Sequence, residues 1–308
     1  MASILLPPRL RLLESGQRRA TWLELFYDLA FVVAVAELAG TLADHQVGVF
    51  AGLFVPVWWA WAGYVFYANR FDTDDLSSRL IGLAQIPAIA LMAASLSDPA
   101  GRSTLFALAY VAARVLLIAA YLRVARHIPQ ARPLALRYVA GFSVAAALWL
   151  VSPLVPEPVR YPLWAVAVLI DLATPFLARR YQAAIPPQHE HLPERFGLFV
   201  VIVLGEVVAA IVLGLKQQPE DFPIGLAGIA VAAAFWWAYF SRLNEEVVGR
   251  TRLAGQVWVY AHLPLSLALV AFGVGVEQLI VHPGAWATGL TGVSAAGAAA
   301  LLWTVRKL

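Results

Sequence analysis

The stretch 21-TWLELFYDLAFVVAVAELAG-40 has the length and apolar character of a membrane-spanning helix, yet it contains Glu24, Asp28 and Glu37. A charge held in hydrocarbon costs about 2.5–3.5 kcal/mol on insertion scales, so each acid needs a partner or a wet cavity. Glu24 and Asp28 are four residues apart and share one helix face, whereas Glu37, nine residues beyond Asp28, lies on roughly the opposite face. Glu24 sits near one edge of the span, where water or a neighbouring Arg can satisfy it. Asp28 lies about 10 Å in and calls for Tyr27, Arg70 or Arg79 as a partner, or else for a role as an acid in an inner vestibule. Glu37 is placed to cap an outer vestibule or to coordinate a cation.

The same apolar length recurs along the whole chain. Of 308 residues, 61% are hydrophobic and 13% charged, and the mean hydropathy is +0.73, outside the range of a soluble domain. Ten spans are expected, over residues 22–43, 49–69, 80–97, 103–122, 135–155, 161–178, 195–215, 224–242, 255–277 and 285–305. Continuous apolar runs of this length argue for helices and against barrel strands. The fold expected is an all-α polytopic helix bundle: a basic N-terminal segment, residues 1–21, followed by a single transmembrane domain, residues 22–308. The first span carries acids and no small-residue cleavage site follows it, so it reads as a retained helix and not as a signal peptide.

With ten spans, both termini and every second loop fall on one side of the membrane. Eighteen of the 22 Lys and Arg residues lie on that side, three (Arg102, Arg160 and Lys216) lie on the other, and Arg114 is inside a span. By the positive-inside rule both termini are expected in the cytoplasm. The net charge of +3 then reflects basic inner loops and calls for no nucleic-acid partner. Cysteine is absent, which excludes disulfides and thiolate metal sites.

A degenerate repeat is also legible. ELFYDLAFVVAVAELA in span one resembles ERFGLFVVIVLGEVVA in span seven, and the WWAWAGYVFYANRFDTDD of span two, followed by RLIGLAQ, resembles the FWWAYFSRLNEE of span eight, followed by RLAGQ. Paired Trp and charged helix ends are also common at any membrane interface, which is the alternative reading. As a repeat, spans one to six and seven to ten are parallel copies, residues 22–180 and 190–308, related by an axis along the membrane normal, an arrangement found in transporters.

Depth organises the intramembrane charges. Arg114 and Asp171 both lie about 15–16 Å below the outer edge of their spans, and Glu206 about 16 Å from the inner edge of its own. Arg114 is expected to pair with Asp171 or Glu206, leaving the other acid to titrate. An Arg114–Asp171 pair suits a permanent lock, because Arg does not release its proton. Glu206, in VLGEVVAA, stands among small residues that allow close helix approach. His262, two residues before Pro264 in span nine, either satisfies a carbonyl freed by the proline or relays protons.

The exit of span two gathers Arg70, Asp72, Asp74, Asp75 and Arg79, and the start of span seven holds Glu194 and Arg195, together a cytoplasmic polar cluster. The Asp72–Asp74 spacing is like that at the start of a calcium-binding loop, but the required Gly and distal Glu are missing. His189 and His191 flank Glu190 in a Pro-bordered loop with no further metal ligand in view, so a solvated loop is favoured over zinc. No phosphate-binding loop or nucleophile motif appears. No metal, catalytic residue or cofactor is expected, and the sequence does not give an oligomeric state.

WLELFYDLAFVVAVAEL, RFDTDD after span two, ERFGLFVVIVLGE opening span seven and WWAYF in span eight together resemble the low temperature requirement A (LtrA) family of bacterial membrane proteins, over residues from about 20 to about 245. The resemblance implies a multi-helix inner-membrane protein linked to growth in the cold. The residues matching its motifs are Glu24, Phe26, Asp28, Arg70, Asp72, Asp74, Glu194, Arg195, Gly205 and Glu206. The function expected is transport or conduction of a proton, a cation or a small solute along Asp28, Glu206, Glu37, Glu24 and His262. A lipid-directed membrane enzyme using Glu24, Asp28, Asp72 and Asp74, and a structural or sensory stress protein, are the alternatives.

Overall fold

The computed structural model describes residues 8, 20–71, 75–182, 184–186, 191–241 and 252–307. All regular structure among them is helical: α1 (Trp22–Ala43), α2 (Val47–Phe71), α3 (Leu76–Leu96), α4 (Ser103–His127), α5 (Arg132–Val151), α6 (Glu157–Leu177), a short α7 (Arg179–Gln182), α8 (His191–Gln217), α9 (Phe222–Phe240), α10 (Arg252–Val281) and α11 (Ala285–Lys307). Ten of these, all but α7, are long and apolar enough to cross a membrane. The helix ends lie within a few residues of the expected ones: α1 matches its span, α2, α4, α8, α10 and α11 run past the expected end, and α3, α5, α6 and α9 stop one to four residues short of it. Asp72, Asp74, His189 and Glu190 lie outside the described residues.

Local chemistry sets the helix starts. At α1, Thr21 and Glu24 form a capping box: Glu24 N donates to Thr21 Oγ1 at 3.2 Å, and Thr21 N donates back to Glu24 Oε2 at 2.7 Å. At α3, Asp75 is the N-cap and accepts from Ser78 N. Prolines inside α2, α3, α6 and α10 are tolerated, as is usual where neighbouring groups re-satisfy the freed carbonyls.

The chain falls into two compact units, Met1–Ala34 with Val55–Leu192 and Val35–Phe54 with Pro193–Leu308. In the first, α3 packs on α4, α4 on α5 and α5 on α6. Its interior is aromatic: Tyr121 stacks on Tyr138 at 4.9 Å, and Trp149 meets Trp164 at 4.7 Å between ring centres. In the second, α10 packs along α11, and both touch α9.

Small residues close the α8–α10 seam of the second unit. A Cβ on Gly273 would lie 2.8 Å from Val207 Cα, and one on Gly214 would lie 3.4 Å from Glu277 Cα. Van der Waals contact at such seams replaces the hydrophobic drive that lipid removes. Gly273→Ala is therefore expected to force the two backbones apart and cost about 1–3 kcal/mol. Gly205→Ala, with nothing within 4 Å of the added carbon, is expected to be neutral. Thermal unfolding in detergent distinguishes the two; equal midpoints would remove the seam from the account.

Candidate functional site

In the first unit every intramembrane acid has a described partner. Arg114 on α4 and Asp171 on α6 are 1% and 0% exposed, with Arg114 Nε 3.2 Å from Asp171 Oδ2. Tyr110, one turn before Arg114, donates its hydroxyl to the same Asp171 oxygen and accepts from Arg114 Nη2. The guanidinium also lies over the rings of Tyr110 and Phe142, at 4.7 and 5.3 Å from their centres. Gly63 of α2 leaves room for it, since a Cβ there would stand 2.8 Å from Arg114 Nη1. This is a closed trio: the cation cannot leave, and the surrounding rings exclude water.

Glu24 and Asp28 of α1 are engaged too. Trp61 Nε1 of α2 donates to Asp28 Oδ1 at 2.8 Å. Of the partners expected for Asp28, Tyr27 donates to Ala60 O at 3.2 Å, and Arg70 donates to the carbonyls of Ile185 and Phe66. Glu24 Oε1 lies 3.5 Å from His191 Nε2, and His191 Nδ1 is 3.3 Å from Asn69 Nδ2, all three groups buried. Glu24 thus caps its own helix and ties it to residues at the end of α2 and the start of α8. In the cluster at the exit of span two, Asp75 pairs with Arg123 of α4 at 2.5 Å. Arg79, Glu194 and Arg195 also have partners.

The second unit differs. Glu206 on α8 and Glu277 on α10 are both half-buried, and each makes neither a hydrogen bond nor an ion pair among the described residues. They lie along the tight α8–α10 seam, Glu206 beside Val207 and Glu277 one turn beyond Gly273, and the charge of Glu277 acts on Glu206. Glu37 is half-buried and likewise without a described polar partner. His262, by contrast, is sealed. Its Nδ1 is 2.7 Å from Trp258 O, so that nitrogen donates; in the neutral ring Nε2 then accepts from Tyr239 Oη at 2.9 Å. Phe196 and Trp258 enclose the imidazole. Tyr239→Phe is expected to leave Nε2 buried without a donor and lower stability by about 1–3 kcal/mol, read as the unfolding midpoint in detergent.

With this arrangement in view, the family model for the bacterial low temperature requirement A protein (LtrA) matches residues 19–306. The chain belongs to the LtrA family. It is 27% identical over 298 residues to an uncharacterized protein of Rhizobium meliloti (strain 1021), covering 89% of this chain and 73% of the relative. No solved structure matches it. As an LtrA protein with ten membrane-length helices, it is a multi-pass membrane protein.

The LtrA motif residues divide between the units. Glu24, Asp28 and Arg70 belong to the buried network of the first, while Gly205 and Glu206 stand in the second, where Gly205 opens onto space. Glu277, Tyr110, Trp61, Asn69 and Arg123 are candidate or positioning residues that the sequence motifs do not announce. The one signal for Glu277 is its setting in GVGVEQL, which echoes the small-residue context of Glu206 in VLGEVVA.

Proposed function

We propose that this protein carries a proton or a monovalent cation across the bacterial inner membrane, with Glu206 and Glu277 as the pair that binds it. The observation supporting this is the contrast between the units: the membrane acids of the first are matched by Arg, His, Trp or Tyr, while Glu206 and Glu277 face each other's field with no described cation. Two carboxylates in low dielectric repel, and a proton or cation bound at either one relieves the repulsion. Intramembrane carboxylates are otherwise costly enough that they mark ion paths more often than packing. Glu37 is an outer station on this reading, and Asp28, Glu24 and His262 hold the surrounding helices in register. The orientation that accompanies it has both termini in the cytoplasm, on the strength of the Arg and Lys distribution.

A lipid-directed enzyme draws less support, because Glu24 and Asp28, two of its four proposed acids, are engaged by Thr21, His191 and Trp61. The test is flux in proteoliposomes under an imposed pH gradient and across a panel of monovalent cations. Wild-type flux is expected to exceed that of empty vesicles and to fall about ten-fold or more in Glu206→Gln, equivalent to about 1.4 kcal/mol or more in the barrier. Undiminished flux in a folded Glu206→Gln protein would sink the reading.

A further inference from the structure

The loops spanning residues 123–137 and 177–186 hold six arginines and no acid. Arg123 takes Asp75, and the other five form no ion pair among the described residues. Two of the five converge. Arg180 Nη2 and Arg137 Nη2 donate to the same oxygen, Tyr181 Oη, at 2.6 and 3.5 Å, and both guanidinium groups lie by the Tyr181 ring, 4.6 and 5.6 Å from its centre. The cations are therefore within about 6 Å of each other, where like charges repel. The hydrogen bond from Arg137, then that from Arg180, with the charges of both, holds the Tyr181 phenol below its ordinary range.

The cluster is held in place and not merely drifting at the surface. Gln182 Nε2 donates to the buried Tyr138 hydroxyl of α5 at 2.8 Å and to Pro175 O of α6 at 3.0 Å, so α7 presents Arg180 and Tyr181 at a fixed place beside Arg137. The neighbours are apolar and open: Leu136 is 44% and Leu177 78% exposed, each at the end of a membrane span. We infer that Arg137, Arg180 and Tyr181 form a binding site for the phosphate of an anionic phospholipid, whose acyl chains run along Leu136 and Leu177.

The chemistry fits on three counts. Guanidinium forks bind phosphate oxygens through paired charge-assisted hydrogen bonds. An anion between the two arginines turns their repulsion into attraction, and Tyr181, whose oxygen accepts from both arginines, keeps its own O–H as a third donor to that anion. The exposed leucines favour a lipid over free phosphate, since only a lipid covers them while its headgroup sits at the interface.

The test titrates phosphatidylglycerol or phosphatidylcholine into the purified full chain in neutral detergent, following lipid retention by native mass spectrometry and folding by elution profile. Phosphatidylglycerol is expected to bind the wild type in preference to phosphatidylcholine. Its apparent affinity is expected to fall by about ten-fold or more, the loss of about 1.4 kcal/mol, in Arg137→Gln/Arg180→Gln. Arg132→Gln, an exposed arginine of the same end that does not touch Tyr181, is expected to bind as the wild type does. The inference is overturned if the two lipids bind the wild type equally, if the double variant keeps its affinity, or if Arg132→Gln loses as much, which would make the attraction diffuse. Displacement of the lipid by millimolar inorganic phosphate would overturn the choice of a lipid.

Discussion

Arg114→Leu is expected to cost about 3–5 kcal/mol of stability, because it strands Asp171 as an uncompensated charge at the centre of the first unit. Asp171 is completely buried and its Oδ1 already lacks a hydrogen bond, so the carboxylate has no alternative donor beyond Tyr110. Removing both charges tests the explanation. Arg114→Leu/Asp171→Leu is expected to recover most of the loss, since apolar groups of similar volume often replace a buried pair at little cost. The readout is the fraction of protein that stays monodisperse after heating in detergent. If single and double variants fail alike, packing volume and not the stranded charge is responsible.

Glu277→Gln is expected to reduce flux as far as Glu206→Gln does, by about ten-fold or more. On the proposed reading one carboxylate holds the carried charge and the negative field of the other strengthens that binding, so neutralising either one weakens it. Asp28→Asn serves as the contrasting variant: its carboxylate accepts from Trp61 and lies in the other unit, and flux is expected to stay within about two-fold of wild type. Loss in Glu206→Gln with none in Glu277→Gln would reduce the pair to a single binding group. Loss in Asp28→Asn alone would move the path to the first unit.

The helices were legible because lipid imposes a length, and the chain repeats it ten times. Depth was legible for the same reason: a fixed rise per residue puts Arg114 and Asp171 at one level before any contact is known. What sequence does not carry is the direction in which a helix faces its neighbours. Trp61 reads as one of several interfacial tryptophans, yet it turns inward to Asp28. Asp75 reads as part of an acidic helix end, yet its partner is Arg123, in a different helix. Glu277 was hidden by a boundary, since Glu277 and Gln278 look like the polar end of span nine, whereas α10 continues to Val281 and leaves Glu277 a turn inside.

The close approach of Glu24 and His191, 3.5 Å between Oε1 and Nε2, has a consequence for the order of events at the ribosome. The two residues are separated by more than six helices of chain, and at about 5–20 residues per second His191 emerges roughly ten to thirty seconds after Glu24. Throughout that interval the start of the first helix has to hold without the histidine. The capping box explains how it manages: Thr21 is three residues away, so the start of the helix is secured by its own neighbours while the distant histidine is still unmade. Glu24 is thus used twice, first to let the opening helix stand by itself and then, once His191 is made, to meet a residue of the same unit that lies far along the chain.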